Sequence, residues 1–204
     1  MDTFSITFVC TGNRFRSVLA EAFVHRLTLG LPVTTESYGT LELESAPALP
    51  EAVELARSYG LDVARHRARC VTGASLAEAD LLLGFDNSHV REAVVGAGAA
   101  RARSFTMREL ARLLDDVALP EEGNVVVRAR RAVELAAASR EGQPARLADD
   151  MADPLGSPWK VYSDTAAEIR ELSSRLVASL FGVSDARLPA APSKPLRRAR
   201  IWRR

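Results

Sequence analysis

Two cysteines in 204 residues, Cys10 and Cys70, are too few for the disulfide framework of a small secreted module. Long apolar runs are also missing: stretches such as Leu81 to Leu83 fall far short of the roughly 18 residues that a membrane-spanning helix needs. The opening Met-Asp-Thr-Phe-Ser has neither the basic region nor the apolar core of a secretory leader, so a cytoplasmic location is expected. The three histidines, His25, His66 and His89, show no metal-ligand spacing, and neither a metal nor a cofactor is expected. Acidic residues are absent after Asp185, whereas residues 187–204 hold seven of the 27 basic residues. Without that tail the chain has 20 basic and 26 acidic residues, an acidic body with no general case for nucleic-acid binding.

What remains is a composition of 47% hydrophobic and 26% charged residues, that of a soluble globular protein of about one domain. Strand-like runs at Ser5–Val9, Val33–Ser37, Ala79–Phe85 and Ala102–Phe105 alternate with helical patterns at Ser17–Leu29, Pro50–Tyr59, Asn87–Gly96 and Met107–Leu114. Alternation of this kind implies an α/β fold with a parallel sheet covered on both faces. Residues 163–181 carry Ala166, Ile169, Leu172, Leu176, Val177 and Leu180 at helical spacing, the pattern of a closing helix packed on that sheet. The expected domain covers 1–186. It includes a helical insertion at about 116–150, whose helix over Val126–Ala138 offers Val126, Val127, Val133, Leu135 and Ala136 for docking. That insertion is expected beside the mouth of the site, where Arg128, Arg130 and Arg131 would meet an anionic substrate; the alternative is a helix that only caps the domain. The tail at 187–204, with Pro189, Pro192, Pro195 and its arginines, is expected to be disordered.

The most informative segment is Cys10-Thr11-Gly12-Asn13-Arg14-Phe15-Arg16-Ser17, set between a buried strand and the start of a helix. At such a junction successive backbone N–H groups point into one concavity, and the helix N-terminus adds partial positive charge, so Thr11, Gly12, Asn13, Arg14, Phe15, Arg16 and Ser17 can together cradle a tetrahedral oxyanion. Gly12 is expected to allow the tight backbone, and Arg16 to grip two oxygens at once. The same groups would stabilise a thiolate at Cys10, with Ser17 adding a hydroxyl donor. A buried cysteine with an exposed helix-start arginine is the bland alternative, but strand, Gly-Asn turn, Arg-Ser and helix together are much rarer than a cysteine and an arginine at this spacing.

Val9 to Asn13, Arg16-Ser17 and Ala20-Glu21 resemble the signature of the bacterial type of low-molecular-weight protein tyrosine phosphatase. The resemblance continues through Ser37 to Thr40, Tyr59 to Asp62, His66 to Arg69, Ala79 to Leu82 and Asp153-Pro154. It implies a four-stranded parallel sheet with flanking helices and a hydrolase forming a cysteinyl-phosphate intermediate. In that scheme Cys10 is the nucleophile, Arg16 the phosphate ligand, Ser17 the thiolate partner and Asp153 the general acid. Asn13 would brace the loop, and His66 would join the supporting hydrogen bonds. Asp149 and Asp150 are the fallback acids. The implied partner is a phosphorylated protein or a small phosphate ester.

Departures from the family pattern cluster around the pocket. Phe15 stands where the family usually has a second cysteine, Val18 where it has proline, and Leu155 where it has an aromatic residue that would stack on phosphotyrosine. Arg14 adds a charge at the rim, and Cys70 reads as structural. Two other functions fit the loop. One is arsenate reduction drawing on an external thiol; the other is a non-catalytic module that binds a phosphorylated ligand.

Overall fold

The computed structural model describes residues 2–43, 45–119, 123–144 and 146–183. Four parallel strands, β1 (Phe4–Cys10), β2 (Val33–Gly39), β3 (Leu81–Gly84) and β4 (Ser104–Thr106), form one sheet in the order β2-β1-β3-β4. The helices are α1 (Arg16–Leu27), α2 (Pro50–Ser58), α3 (Asn87–Ala97), α4 (Met107–Asp115), α5 (Val125–Arg140) and α6 (Trp159–Phe181). The α/β architecture expected from the alternation is therefore present. Among the described residues no helix is long and apolar enough to cross a membrane.

The side-chain period of two decides the two layers. Phe4, Ile6, Phe8 and Cys10 of β1, with Leu81 and Leu83 of β3, enter a core shared with α1, α2, α4, α5 and α6. Val9 and Leu82 point the other way, onto Ala93 and Ala97 of α3. Strand order reverses at β1, because β2 lies on one side of it and β3 on the other. In open α/β sheets such a switch point opens a crevice beyond the carboxyl ends of the strands, and Cys10 is the last residue of β1.

Several boundaries move: β2 runs on to Gly39, β3 is Leu81–Gly84 and not Ala79–Phe85, and α1 ends at Leu27 and not Leu29. Arg101–Arg103 forms a single 3-10 turn ahead of a strand of three residues, not the start of the strand, and α6 begins at Trp159, just after Pro158. Pro158 fits there because a helix start needs no N–H from it.

The placement expected for the insertion is wrong. Helix α5 buries Val126, Ala129, Ala132, Val133 and Ala136 in the main core and leaves Val127 exposed. Its Arg130 pairs with Asp2 and Asp80, which precede β1 and β3, and its Arg140 donates to the carbonyls of Ser104 and Arg101 where β4 begins. The helix thus clamps the amino ends of the strands, about 20 Å from Cys10 at the rise of a strand. Arg130 is already paired there, and Arg131 pairs with Glu134 on its own helix. The insertion leaves the chain after α4 and returns just before Asp153, but small alanines at helical spacing let α5 lie against the core and not at the site. Among the described residues of the returning chain, Met151 and Asp153 reach the site through Arg16. The tail at 187–204 lies outside the described residues.

Candidate active site

The turn of the phosphate loop is visible in where its carbonyls go. Cys10 O accepts from Thr40 N, Thr11 O from Leu41 N and Arg14 O from Leu49 N, each at 2.9 Å, while Asn13 O accepts from His66 Nε2 at 2.8 Å. With the carbonyls turned outward, the amides face the hollow above Cys10. Phe15 starts α1 without any side-chain cap, so the first-turn amides are not taken by one and are open to an anion.

Asn13 holds the loop in shape. Its φ of 49° is left-handed, a strained backbone for a side-chain-bearing residue, and it is fully buried. Its amide nitrogen donates to Ser17 Oγ at 2.9 Å and to Ser37 Oγ at 2.8 Å, and its amide oxygen accepts from Arg69 N at 2.9 Å. Ser37 passes its own hydrogen to Glu21 at 2.5 Å. Ser17 Oγ accepts from Asn13 and lies 3.0 Å from Cys10 Sγ, so its hydrogen is available to the sulfur whenever that is a thiolate. His66 is half-buried, and that burial holds its pKa below the ordinary histidine value, while the carbonyl of Asn13 requires the hydrogen on Nε2.

The tight approach expected at Gly12 occurs at Gly39. A Cβ on Gly12 would come no nearer than 3.4 Å to Leu43, an ordinary contact. On Gly39 it would lie 2.8 Å from Asn13 N and 2.9 Å from Thr11 O. Gly39 is the register partner of Cys10, so β2 must be bare there for the loop to pass over it.

Arg16 is buried at the edge of the hollow, its guanidinium held at several points. Nη1 donates to Met151 O at 2.9 Å; Nη2 donates to Thr11 Oγ1 at 2.8 Å and to Asp153 Oδ2 at 2.5 Å. Asp153 is 40% exposed and also accepts from Leu155 N. Cys10, Thr11, Gly12, Arg14, Phe15, Arg16 and Asp153 thus line one cleft, whose upper walls are Leu41, Leu43, Leu49 and Leu155. The fallback acids face elsewhere: Asp149 is buried against Arg112, and Asp150 accepts from the backbone and side chain of Asn87.

Phe15 turns its ring into the protein and meets Tyr162 edge-on at 5.1 Å. Arg14 donates from Nε to Pro47 O, which places its charge at the rim. Cys70 bridges Gly39, which in turn pairs with Cys10. Two strand spacings put the cysteines about 10 Å apart, beyond the roughly 7 Å that a disulfide spans.

Sequence reasoning missed two residues that support the cleft from behind. Asp86 and His89, at the start of α3, lie behind Arg16, and His89 reaches Thr11 from 78 positions away. The available signal was Asp86-Asn87-Ser88-His89, an acid followed three residues later by a side chain able to accept from its backbone, which is a helix-capping pattern.

A parallel α/β sheet carrying an anion loop at its switch point, with a cysteine on the loop's floor and an arginine and an aspartate at its mouth, defines a phosphate-handling protein of the cysteine-dependent kind. Comparison with known proteins gives the family. Residues 5–124 match the model of the low molecular weight phosphotyrosine protein phosphatases, and the chain belongs to that family. A probable low molecular weight protein-tyrosine-phosphatase of Ralstonia nicotianae is 36% identical over 88 residues, covering 43% of this chain and 59% of that protein. The match thus spans less than two thirds of that relative. The protein-arginine-phosphatase of Bacillus subtilis is 30% identical over 177 residues, 86% of this chain and 95% of the relative. The crystal structure of a low molecular weight protein tyrosine phosphatase from T. tengcongensis superposes with a TM-score of 0.63 at 30% identity, over 87% of this chain and all of that one.

Proposed function

We propose that the protein hydrolyses phosphomonoesters through a cysteinyl-phosphate intermediate. The observation that carries this reading is the convergence of Cys10 Sγ, the buried Arg16 guanidinium and the Asp153 carboxyl on one cleft under an inward-facing ring of amides. In the first step the Cys10 thiolate attacks phosphorus, the bond from phosphorus to the leaving oxygen breaks, and Asp153 gives that oxygen its proton. In the second, Asp153 takes a proton from water, the oxygen attacks phosphorus, and the sulfur–phosphorus bond breaks to release phosphate. Ser17 donates to the sulfur whenever it carries charge. Arg16 and the loop amides hold the equatorial oxygens, where most of the transition-state stabilisation arises.

The substrate is a phosphorylated protein or a small phosphate ester, and the work is done in a reducing cytoplasm, where a loop with Phe15 in place of a second cysteine can keep Cys10 as a thiol. Leucines, rather than aromatic rings, line the upper cleft, which favours a tolerant pocket over one that clamps a flat phenyl ring.

The test is turnover of an aryl phosphate without added metal, in the native protein and in Cys10→Ser. Activity that falls by several orders of magnitude in the variant, with the fold kept, supports the reading. A Cys10→Ser protein retaining a tenth of the activity would sink it, because among the described residues the side chain in hydrogen-bond reach of that position is the Ser17 hydroxyl, which cannot act as a base to ionise a serine.

A further inference from the structure

His89 sits outside the phosphate loop, at the third position of α3, and is almost wholly buried. Its Nδ1 accepts from the backbone N–H groups of Asp86 at 3.2 Å and Phe85 at 3.4 Å. Asp86 Oδ2 also lies 3.2 Å from Nδ1, but two N–H donors aimed at that nitrogen against one carboxylate oxygen favour a bare Nδ1, with the hydrogen of the neutral ring on Nε2. Burial holds the ring's pKa down to about 4, with Asp86 and Asp153 opposing and Arg16 assisting, and the ring is therefore neutral near pH 7. Nε2 is 3.0 Å from Thr11 Oγ1 and donates to it.

Thr11 Oγ1 receives a second hydrogen, from Arg16 Nη2 at 2.8 Å. A hydroxyl oxygen has two lone pairs and one hydrogen. Once both lone pairs are filled, the only remaining tetrahedral direction belongs to its own O–H. Among the described residues no protein acceptor takes that hydrogen, and Thr11 lines the cleft above Cys10.

We propose that His89 is a positioning residue for phosphoryl binding: by donating to Thr11 it turns the threonine hydroxyl into a donor to a phosphoryl oxygen in the loop and fixes the plane of the Arg16 guanidinium. The contact couples α3 to the loop, a connection the loop's own sequence does not contain. It rests on the reading of the cleft as a phosphate site but does not require turnover. A hydroxyl that could flip to accept would help phosphate no more than a methyl group does. His89 removes that freedom, so the donor is ordered before the ligand arrives.

The experiment measures the dissociation constant of inorganic phosphate by calorimetry, together with kcat and KM on an aryl phosphate. The proteins are the native chain, Thr11→Val, Thr11→Ser, His89→Leu, His89→Gln and the double variant Thr11→Val with His89→Leu. Thr11→Val should weaken phosphate binding by about tenfold and lower kcat by about tenfold or more, the effect of losing one ordered donor. Thr11→Ser, which keeps the hydroxyl, and His89→Gln, which keeps a donor near the position of Nε2, should each recover most of that loss. The double variant should be no worse than the poorer single one, because His89 acts through Thr11.

The proposal is overturned if Thr11→Val binds phosphate within about threefold of the native chain, if Thr11→Ser loses as much as Thr11→Val, or if the two losses multiply in the double variant. Should His89→Leu fail to fold, the Thr11 pair alone decides by the first two criteria. A native protein that binds phosphate without hydrolysing the ester defeats the hydrolase reading, yet leaves the binding comparison intact as the test of His89 and Thr11.

Discussion

Arg16 Nη2 and Asp153 Oδ2 stand 2.5 Å apart, joining the loop to a residue 137 positions later in the chain. A phosphoryl group entering the loop would compete for the Arg16 Nη2 hydrogen that Asp153 accepts, and taking it would loosen Asp153. In the proposed mechanism this would free Asp153 at the point where a leaving oxygen arrives. Asp153→Asn is predicted to slow hydrolysis by about 10²–10⁴-fold for esters with poor leaving groups and much less for good ones, since only the former need a proton. Rates on a series of phosphate esters of graded leaving-group acidity check this. The same dependence appearing in Asp149→Asn or Asp150→Asn instead would reassign the acid.

Asn13 offers a stability test. Asn13→Ala removes three side-chain hydrogen bonds from a fully buried position and leaves a left-handed backbone without the side chain that braces it. Urea titration should show a loss of about 2–4 kcal/mol, and turnover should fall because Ser17 loses the donor that directs its hydrogen to Cys10. An unchanged midpoint would mean that the loop is held by its carbonyl contacts alone.

Much of this site could be read from the chain because its chemistry is local. Cys10, Asn13, Arg16 and Ser17 fall within eight residues, and their roles follow from a strand ending, a loop and a helix beginning. Gly39 and His89 were not legible on these grounds. Gly39 matters only because parallel register sets it beside Cys10, and His89 only because the crossover from β3 to α3 brings it behind Thr11. Helix α5 was recognisable from its periodicity, but its location depended on which end of the sheet its alanines could approach. Periodicity shows which face is buried and not what it is buried against.

The cleft's walls lead to a specificity prediction. Leu155 is 66% exposed at the mouth, two residues beyond Asp153, so a ring placed there would flank the substrate. Leu155→Tyr is predicted to raise kcat/KM for a phosphotyrosine peptide by about three- to tenfold, the worth of one added stacking contact. An alkyl phosphate should respond little. Equal gains on both substrates would show that the residue acts on loop order and not on recognition.

Arg130 separates stability from catalysis. It pairs with Asp80 and with the exposed Asp2 at the amino ends of the strands, on the side of the sheet opposite the loop. Arg130→Gln should leave kcat and KM unchanged and cost only about 1 kcal/mol or less, given that the arginine is substantially exposed. Ala132→Asp on the same helix places a carboxyl in the main core and should prevent stable folding. A shift in KM from the Arg130 substitution would restore a substrate role to α5.

Acid should unfold the protein through His89 before its carboxylates dominate. The folded-state pKa, held to about 4 by burial, lies below the unfolded value of 6.5. Between these values the unfolded chain binds more protons, so stability rises with pH. The contribution is fully present above the unfolded pKa and is lost as pH falls toward the folded one. Half-buried His66, shifted in the same direction, adds to the trend over the upper part of that window. Asp86, whose pKa is lowered by its hydrogen bonds with Ser88 and His89 and by the charges of His89 and Arg16 against the cost of burial, contributes in the same sense only at pH values below about 4. For His89 the full span is about 3 kcal/mol. Urea titrations at pH 7, 5.5 and 4.5 should therefore show a falling midpoint in the native chain and a shallower fall in His89→Gln, which has no proton to gain there. Parallel pH dependence in the two proteins would show that His89 is not the group that titrates and would move the acid sensitivity to His66.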